Sequence, residues 1–237
     1  MTPSRALTSP AAQATSTGLF IAFEGGDGSG KSTQARLLAE RLAEQGHPVL
    51  LTREPGGTTL AEQIRSLVLD PSHAPVDPTT EALLFAAARS SHVRQSVLPA
   101  LEQGTVVVTD RYIDSSVAYQ GSGRDLGAEQ IAALNAWATD GLIPHLTVLL
   151  DVDEDTALHR RRSRLSAQQG AVPDRLESEP DSFHAVIRQA FLDRAAQAAE
   201  RTLVLDAAQD AGSLAEQVMA HVTALLEDRA PTLGADR

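Results

Sequence analysis

Eight residues, Gly25-Gly26-Asp27-Gly28-Ser29-Gly30-Lys31-Ser32, meet the pattern G-x-x-x-x-G-K-[ST] at every fixed position, and they leave this chain little freedom in how it folds. They follow Leu19-Phe20-Ile21-Ala22-Phe23, which reads as a buried strand, and precede Thr33 to Gln45, which reads as a helix. Glycines let the backbone turn so that successive N–H groups face one anion, and the helix N-terminus behind them adds about half a positive charge. Lys31 is placed to reach terminal phosphates and the Ser32 hydroxyl to ligate magnesium. A glycine-rich turn with a stray lysine would lack this strand before it and this helix after it.

The rest of the chain supplies the sheet that such a loop needs. Ala35, Leu38, Ala39 and Leu42 recur at helical spacing before Gly46, and Pro48 to Thr52 is a short apolar run of the kind that forms a parallel strand covered on both faces. Thr59-Leu60-Ala61-Glu62 predicts a capping box opening a helix with Leu60, Ile64, Leu67 and Val68 on its apolar face. Thr79 or Thr80 is expected to cap a long helix carrying Leu84, Phe85 and Arg89, kinked near Pro99 and ended by Gly104. Thr105 to Thr109 reads as a third strand ending at Asp110-Arg111-Tyr112, Ser115 to Gln120 as a short helix, and Ala128 to Asp140 as an amphipathic stretch with Ile131, Leu134 and Trp137. Thr147 to Val152 is a fourth strand, and Asp153-Glu154-Asp155 open a helix whose last turns carry arginines. Phe183 to Glu200 is helical, Thr202 to Leu205 is a fifth strand, and Ser213-Leu214-Ala215-Glu216 caps a last helix along Leu214, Val218, Val222 and Leu225. Strands alternating with helices predict an α/β fold, a five-stranded parallel sheet flanked by helices, of the P-loop NTPase class.

A length of 237 residues suits one domain, expected over 18–228, with a disordered extension over 1–17 and a frayed tail over 229–237. The first 17 residues lack the apolar core of a secretion signal, and no apolar run approaches the roughly 20 residues needed to cross a bilayer. A net charge of −11 argues against a general nucleic-acid binder, so any phosphate binding must be local. Zero cysteines exclude disulfides and thiolate metal sites and fit a reducing cytoplasm.

A P-loop implies a nucleoside triphosphate and magnesium; no guanine-reading N-K-x-D and no L-S-G-G-Q narrows it further. Three clusters point to a second substrate. Arg53 after the second strand and Arg111 after the third fall at the carboxyl edge of the sheet, where guanidinium forks match phosphate oxygens. Phe85 and Arg89 share a helix face, a pattern that core packing alone also produces. Arg160, Arg161, Arg162 and Arg164 crowd within five positions of an acidic chain, where mutual repulsion makes a polyanion partner a reasonable explanation.

Taken in order, these segments resemble the thymidylate kinase family. The resemblance rests on the P-loop with Thr33-Gln34, Thr52-Arg53-Glu54-Pro55-Gly56-Gly57, Leu84-Phe85-Ala86-Ala87-Ala88-Arg89, Asp110-Arg111-Tyr112, Ala118-Tyr119-Gln120-Gly121 and Asp174-Arg175-Leu176-Glu177. It spans residues 19 to about 206 and implies a nucleoside monophosphate kinase-like fold with a mobile lid at about 160–177. It implies transfer of the γ-phosphoryl group of ATP to the 5′-phosphate of dTMP, with Mg2+, in a cytoplasmic homodimer. Carried over by position, Gly25, Gly26, Asp27, Gly28, Ser29, Gly30, Lys31, Ser32 and Thr33 would bind ATP. Phe85 would stack on thymine, Arg89 would bond its O4 edge, Ser116 would approach N3, and Gln120 would wall the base pocket. Asp27 would hold the sugar 3′-hydroxyl, Tyr119 would crowd the 2′ position, and Arg53 with Arg111 would clamp the acceptor phosphate. Asp110 would join Ser32 at magnesium. The family keeps a catalytic arginine either in the P-loop or in the lid; with Gly28 at the loop position, the resemblance implies the bacterial lid type. Lys31, Arg111 and the lid arginines would then stabilise the transferring group, with Arg160 and Arg164 favoured because they share a face at i, i+4. A kinase for another monophosphate or a deoxynucleoside, or a P-loop sensor without an acceptor, are the competing readings.

Overall fold

The computed structural model describes residues 17–167 and 174–229, the side chains of Arg164 and Leu165 excepted. The expected N-terminal extension and C-terminal tail, apart from their innermost residues Thr17 and Arg229, and the polar loop at 168–173 lie outside the described residues.

The chain alternates strand and helix throughout. β1 (Phe20–Glu24) leads through the P-loop into α1 (Lys31–Glu44), and β2 (Val49–Arg53) into α2 (Thr59–Leu69) and α3 (Pro78–His92). A π-helical turn at Val93–Val97 joins α3 to α4 (Leu98–Glu102), followed by β3 (Val106–Asp110) and α5 (Ile113–Ser116). A second π-helical segment, Val117–Gly123, precedes α6 (Ala128–Ala138), β4 (Leu146–Asp151) and α7 (Glu154–Ala167). The chain closes with α8 (Asp181–Gln197), β5 (Thr202–Asp206) and α9 (Ala211–Arg229).

All five strands run parallel in the order β2-β3-β1-β4-β5. Alternation along β1 sends Ile21 and Phe23 into one core with Leu38, Leu42, Val218 and Val222, and Phe20 and Ala22 into another with Val93, Val97 and Leu101. Helices therefore cover both faces, which is why the central strands read as unbroken apolar runs. The register pairs Phe23 of β1 and Arg53 of β2 with Asp110 of β3, so Glu24, Arg53 and Asp110 end at one carboxyl edge. β1 lies between β3 and β4, where the strand order reverses, the place at which open α/β sheets bind ligands.

Several local expectations are corrected. Thr58, not Thr59, caps α2 by accepting from the Ala61 N–H at 3.2 Å, and Glu62 instead accepts from the Gly57 N–H at 3.0 Å. The face that packs also differs from the expected one: Ala61, Ile64 and Val68 are buried, while Leu60 and Leu67 are half exposed. Asp77 caps α3 ahead of Pro78, and Asp210 caps α9 by accepting from Ser213. Pro99 lies one residue beyond the π-helical turn in a stretch that stays helical from α3 into α4, so the wider turn is where the ladder accommodates its missing N–H. The stretch expected as one short helix over 115–120 is the end of α5 continuing into the wider π-helical turn. Trp137 is 75% exposed, so α6 packs through Ile131, Asn135 and Ala138.

Candidate active site

Outside the carboxyl ends of β1, β2 and β3 lies a cleft of about 480 Å³. It gathers Asp27, Gly28, Gly30, Lys31, Ser32 and Thr33 from the P-loop with Arg53, Phe85, Arg89, Asp110, Arg111, Ser116, Tyr119, Gln120 and Arg160. Of the residues singled out in the sequence, Gly25, Gly26 and Ser29 do not line it, and the side chain of Arg164 is outside the described residues. Gly25 and Gly26 border an adjoining cavity of about 80 Å³.

The P-loop turns tightly against α7. Gly28 has φ +87°, and a Cβ there would come within 2.6 Å of the Ala157 carbonyl oxygen on α7. Lys31 crosses back to donate to the Gly26 carbonyl at 2.7 Å. Burial, then the neighbouring Arg111, pulls its pKa down to about 8 against the attraction of Asp110, Asp27 and Glu24. Next to it the Ser32 hydroxyl donates to Asp110 Oδ2 at 2.5 Å, and Asp110 Oδ1 is buried with no partner. An orphaned carboxylate oxygen beside a P-loop hydroxyl is the donor chemistry a hard divalent cation takes. The described residues hold no group of three or more His, Cys, Asp or Glu suited to a metal, so such an ion would complete its shell with phosphate oxygens and water.

Arg111 is the hub of the acceptor side. It adopts φ +72°, a left-handed conformation that side chains avoid. Its guanidinium donates to Asp27 Oδ1 at 2.5 Å, Ser115 Oγ at 3.0 Å and the Gly25 carbonyl at 3.1 Å, and lies over the Tyr119 ring at 5.2 Å. The Tyr119 hydroxyl donates to Asp27 Oδ2 at 2.8 Å. Burial alone would raise the Asp27 carboxyl, but Arg111, Lys31 and the Tyr119 bond outweigh it and hold it well below the carboxylate range. Glu24 lies below this group, fully buried; its burial, with Asp114 adding, pushes the carboxyl up to about 7.

Arg53, expected to clamp a phosphate, reaches the cleft while paired with Glu62 at 2.9 Å, both side chains about half exposed. Arg65 also lines the cleft and donates to the Pro55 carbonyl at 2.9 Å. Nothing in its local sequence distinguishes it from a surface arginine.

Arg89 is bound more tightly than a ligand-facing arginine needs to be. Its Nε donates to Glu54 at 2.6 Å, Nη1 to Ser116 at 2.8 Å and to Asn135, and Nη2 to the Tyr112 carbonyl at 2.9 Å. Four of its five N–H groups are thus engaged inside the protein, leaving one on Nη2. Ser116, which accepts from Arg89, keeps its own proton to donate. Gln120 donates to Glu81 at 2.9 Å, and Glu81 is paired in turn with Arg175 at 2.6 Å and Arg124 at 3.2 Å. Glu54, which lines the cleft, and Glu81, which holds Gln120 from behind it, were assigned no role from the sequence. Phe85 closes it, packed with Tyr119, Leu176 and Phe183.

On α7, Arg160 and Arg161 line the cleft, and Arg161 is the more buried at 8% exposure. Arg162 points to solvent. The arginines of α7 are therefore sorted by helix phase against Gly28, whose missing Cβ would lie 3.3 Å from Arg161 Cγ.

The sequence model of the family described as thymidylate kinase matches residues 23–218. The chain belongs to the thymidylate kinase family. It is 52% identical over 210 residues to a thymidylate kinase of Clavibacter sepedonicus, covering 89% of this chain and 97% of that one. With a thymidylate kinase of Geotalea uraniireducens it shares 46% identity over 211 residues, 89% and 99% of the two chains. The crystal structure of thymidylate kinase from Ehrlichia chaffeensis superposes with a TM-score of 0.69 at 34% identity, covering 87% of this chain and 98% of that one. The activity of the family, phosphorylation of dTMP to dTDP with ATP, is the activity of this chain.

Proposed function

We propose that the cleft divides this reaction between two substrates across the Asp27–Arg111 pair. The P-loop holds the ATP phosphates, Lys31 meets the transferring group, and Ser32 with Asp110 holds Mg2+, which neutralises phosphate charge when bound. Arg111 and Arg53 take the acceptor phosphate. Asp27 accepts from the 3′-hydroxyl, Tyr119 excludes a 2′-hydroxyl, and Phe85, Arg89, Ser116 and Gln120 form the base pocket. From the lid, Arg160 and Arg161 cover the transferring phosphoryl.

The observation that carries this reading is the ion pair at 2.5 Å that joins a P-loop carboxylate to the arginine after β3, because it fixes donor and acceptor sides in one frame. A phosphate monoester with a second pKa near 6 is already largely dianionic at pH 7, so no side chain has to remove a proton. An acceptor oxygen attacks the γ-phosphorus, the bond to the β–γ bridging oxygen breaks, and ADP leaves with that electron pair. The residues that matter are those that offset repulsion between polyanions and align them.

The described residues contain no helix long and apolar enough to cross a membrane. The protein works in the cytoplasm, in dTTP synthesis, as a homodimer; Leu60, Leu67, Leu83 and Trp137 on α2, α3 and α6 are at least half exposed and offer apolar surface for a second copy. A coupled assay over nucleoside monophosphates tests the whole reading. dTMP should have the highest kcat/KM, and preference for CMP, AMP or dGMP would overturn it.

A further inference from the structure

We infer that Glu24 is a positioning residue of the acceptor site, holding the turn after β3 through Ser115 so that Arg111 is aimed at Asp27. The inference rests on the proposed role of Arg111 toward the acceptor phosphate.

Glu24 ends β1 with 1% of its surface exposed, and among the described residues no cation is in ion-pair contact with it. A buried carboxylate without a partner cation is costly, so its oxygens must be satisfied by other donors. They are. Oε1 accepts from the Tyr112 N–H at 2.8 Å and the Ser115 N–H at 3.1 Å, and Oε2 accepts from the Ser115 hydroxyl at 2.5 Å. All three donors lie in the four residues that follow Arg111, the residue held at φ +72°.

Arg111 is thereby clamped from both sides. Its own N–H donates to the Phe23 carbonyl at 2.9 Å, and the next N–H, of Tyr112, goes to Glu24. The left-handed conformation persists because the flanking backbone has nowhere better to bond. Ser115 adds direction. Its proton is committed to Glu24, so its lone pair faces Arg111 Nη1 at 3.0 Å. The relay Glu24–Ser115–Arg111–Asp27 therefore sets where the guanidinium points without Glu24 touching the cleft, of which it is not a lining residue.

Glu24→Gln keeps the size and one carbonyl oxygen for the two N–H groups, but places an NH2 donor against Ser115 and reverses that hydroxyl. Ser115→Ala removes the relay while leaving Glu24 its backbone donors. With the full chain, the KM for dTMP should rise about tenfold or more in each variant while the KM for ATP stays within about twofold. The double variant should be no worse than the stronger single one, as expected for one relay. A crystal structure of Glu24→Gln should show the Arg111 guanidinium displaced from Asp27. Unchanged dTMP KM, a parallel rise for ATP, or multiplying single effects would each overturn the inference. If Glu24→Gln fails to fold, Ser115→Ala decides by the same split and by its own Arg111 geometry. Wild-type protein preferring another monophosphate would refute the substrate reading instead, and the displacement of Arg111 would still decide the role of Glu24.

Discussion

Replacing Arg89 by methionine should unsettle the protein more than any other single change at the base end of the cleft. Arg89 and Glu54 are each 2% exposed at the side chain and meet at 2.6 Å, with the His92 Nδ1–H donating to the other Glu54 oxygen at 2.9 Å. Burial works against the Glu54 charge, but Arg89 and then His92 outweigh it and lower its pKa below the ordinary 4.5. Methionine fills much of the space and removes the cation, leaving Glu54 charged and buried with Asn135 Oδ1 and the Tyr112 carbonyl also short of a donor. Breaking a buried pair in this way costs about 3–5 kcal/mol. At about 2–4 °C per kcal/mol for a chain of this size, the melting temperature should fall by about 6–20 °C. Calorimetry or urea titration reads this directly. Because a depressed carboxylate pKa contributes stability above its unfolded value and loses it in acid, the gap between wild type and variant should narrow as the pH falls below 4.5. Adding Glu54→Gln should restore part of the loss, since no charge is then stranded. A loss below about 1 kcal/mol, or a double variant no more stable than the single one, would refute the reasoning.

Other outcomes follow from the same geometry. With Lys31 pulled to about 8, kcat/KM for ATP should fall as the pH rises through that value as the free enzyme loses the charge, and a profile flat across it would contradict the assignment. Lys31→Ala should keep the fold and lower kcat at least about 100-fold, which steady-state kinetics checks. Tyr119→Phe deletes the hydroxyl that donates to Asp27 and should raise the dTMP KM about tenfold, with preference over UMP retained, whereas Tyr119→Ala should narrow that preference; an unchanged dTMP/UMP ratio in the alanine variant would remove Tyr119 as the sugar gate. If the proposed homodimer packs through this face, wild-type protein should sediment as a dimer and Trp137→Glu as a monomer, and an equal coefficient for the two would refute that interface.

What could be read from sequence was what is local. The P-loop is eight consecutive residues, and the strand–loop–helix around it follows from periodicity, so its place at the sheet edge was legible. Arg53, Arg111 and Asp110 were legible as strand ends because parallel strands bring those ends together. Glu24, Glu54 and Glu81 were not, since a carboxylate satisfied by donors 35 to 91 residues away carries no mark in its own neighbourhood. Arg89 was recognised for its place, but its partners inside the protein were not legible: three other segments occupy four of its five donors. The α2 face was misread because Ala61 is small and Leu60 and Leu67 are large: apolar size drew the stripe through the leucines, whereas the side that packs runs through Ala61, Ile64 and Val68. Four arginines within five positions look alike until the helix phase against the P-loop separates Arg161 from Arg162.

The close approach of Gly28 to the Ala157 carbonyl has an engineering consequence. A substitution that placed an arginine in the loop at position 28 would drive its first side-chain carbon into the backbone of α7, at a φ that side chains resist. The loop and α7 thus behave as one interlocking part with room for a single occupant. In this chain the two placements of the arginine cannot be exchanged one residue at a time. The helix must first retreat, so a viable route runs through variants with a shortened or shifted α7, and only then through the loop.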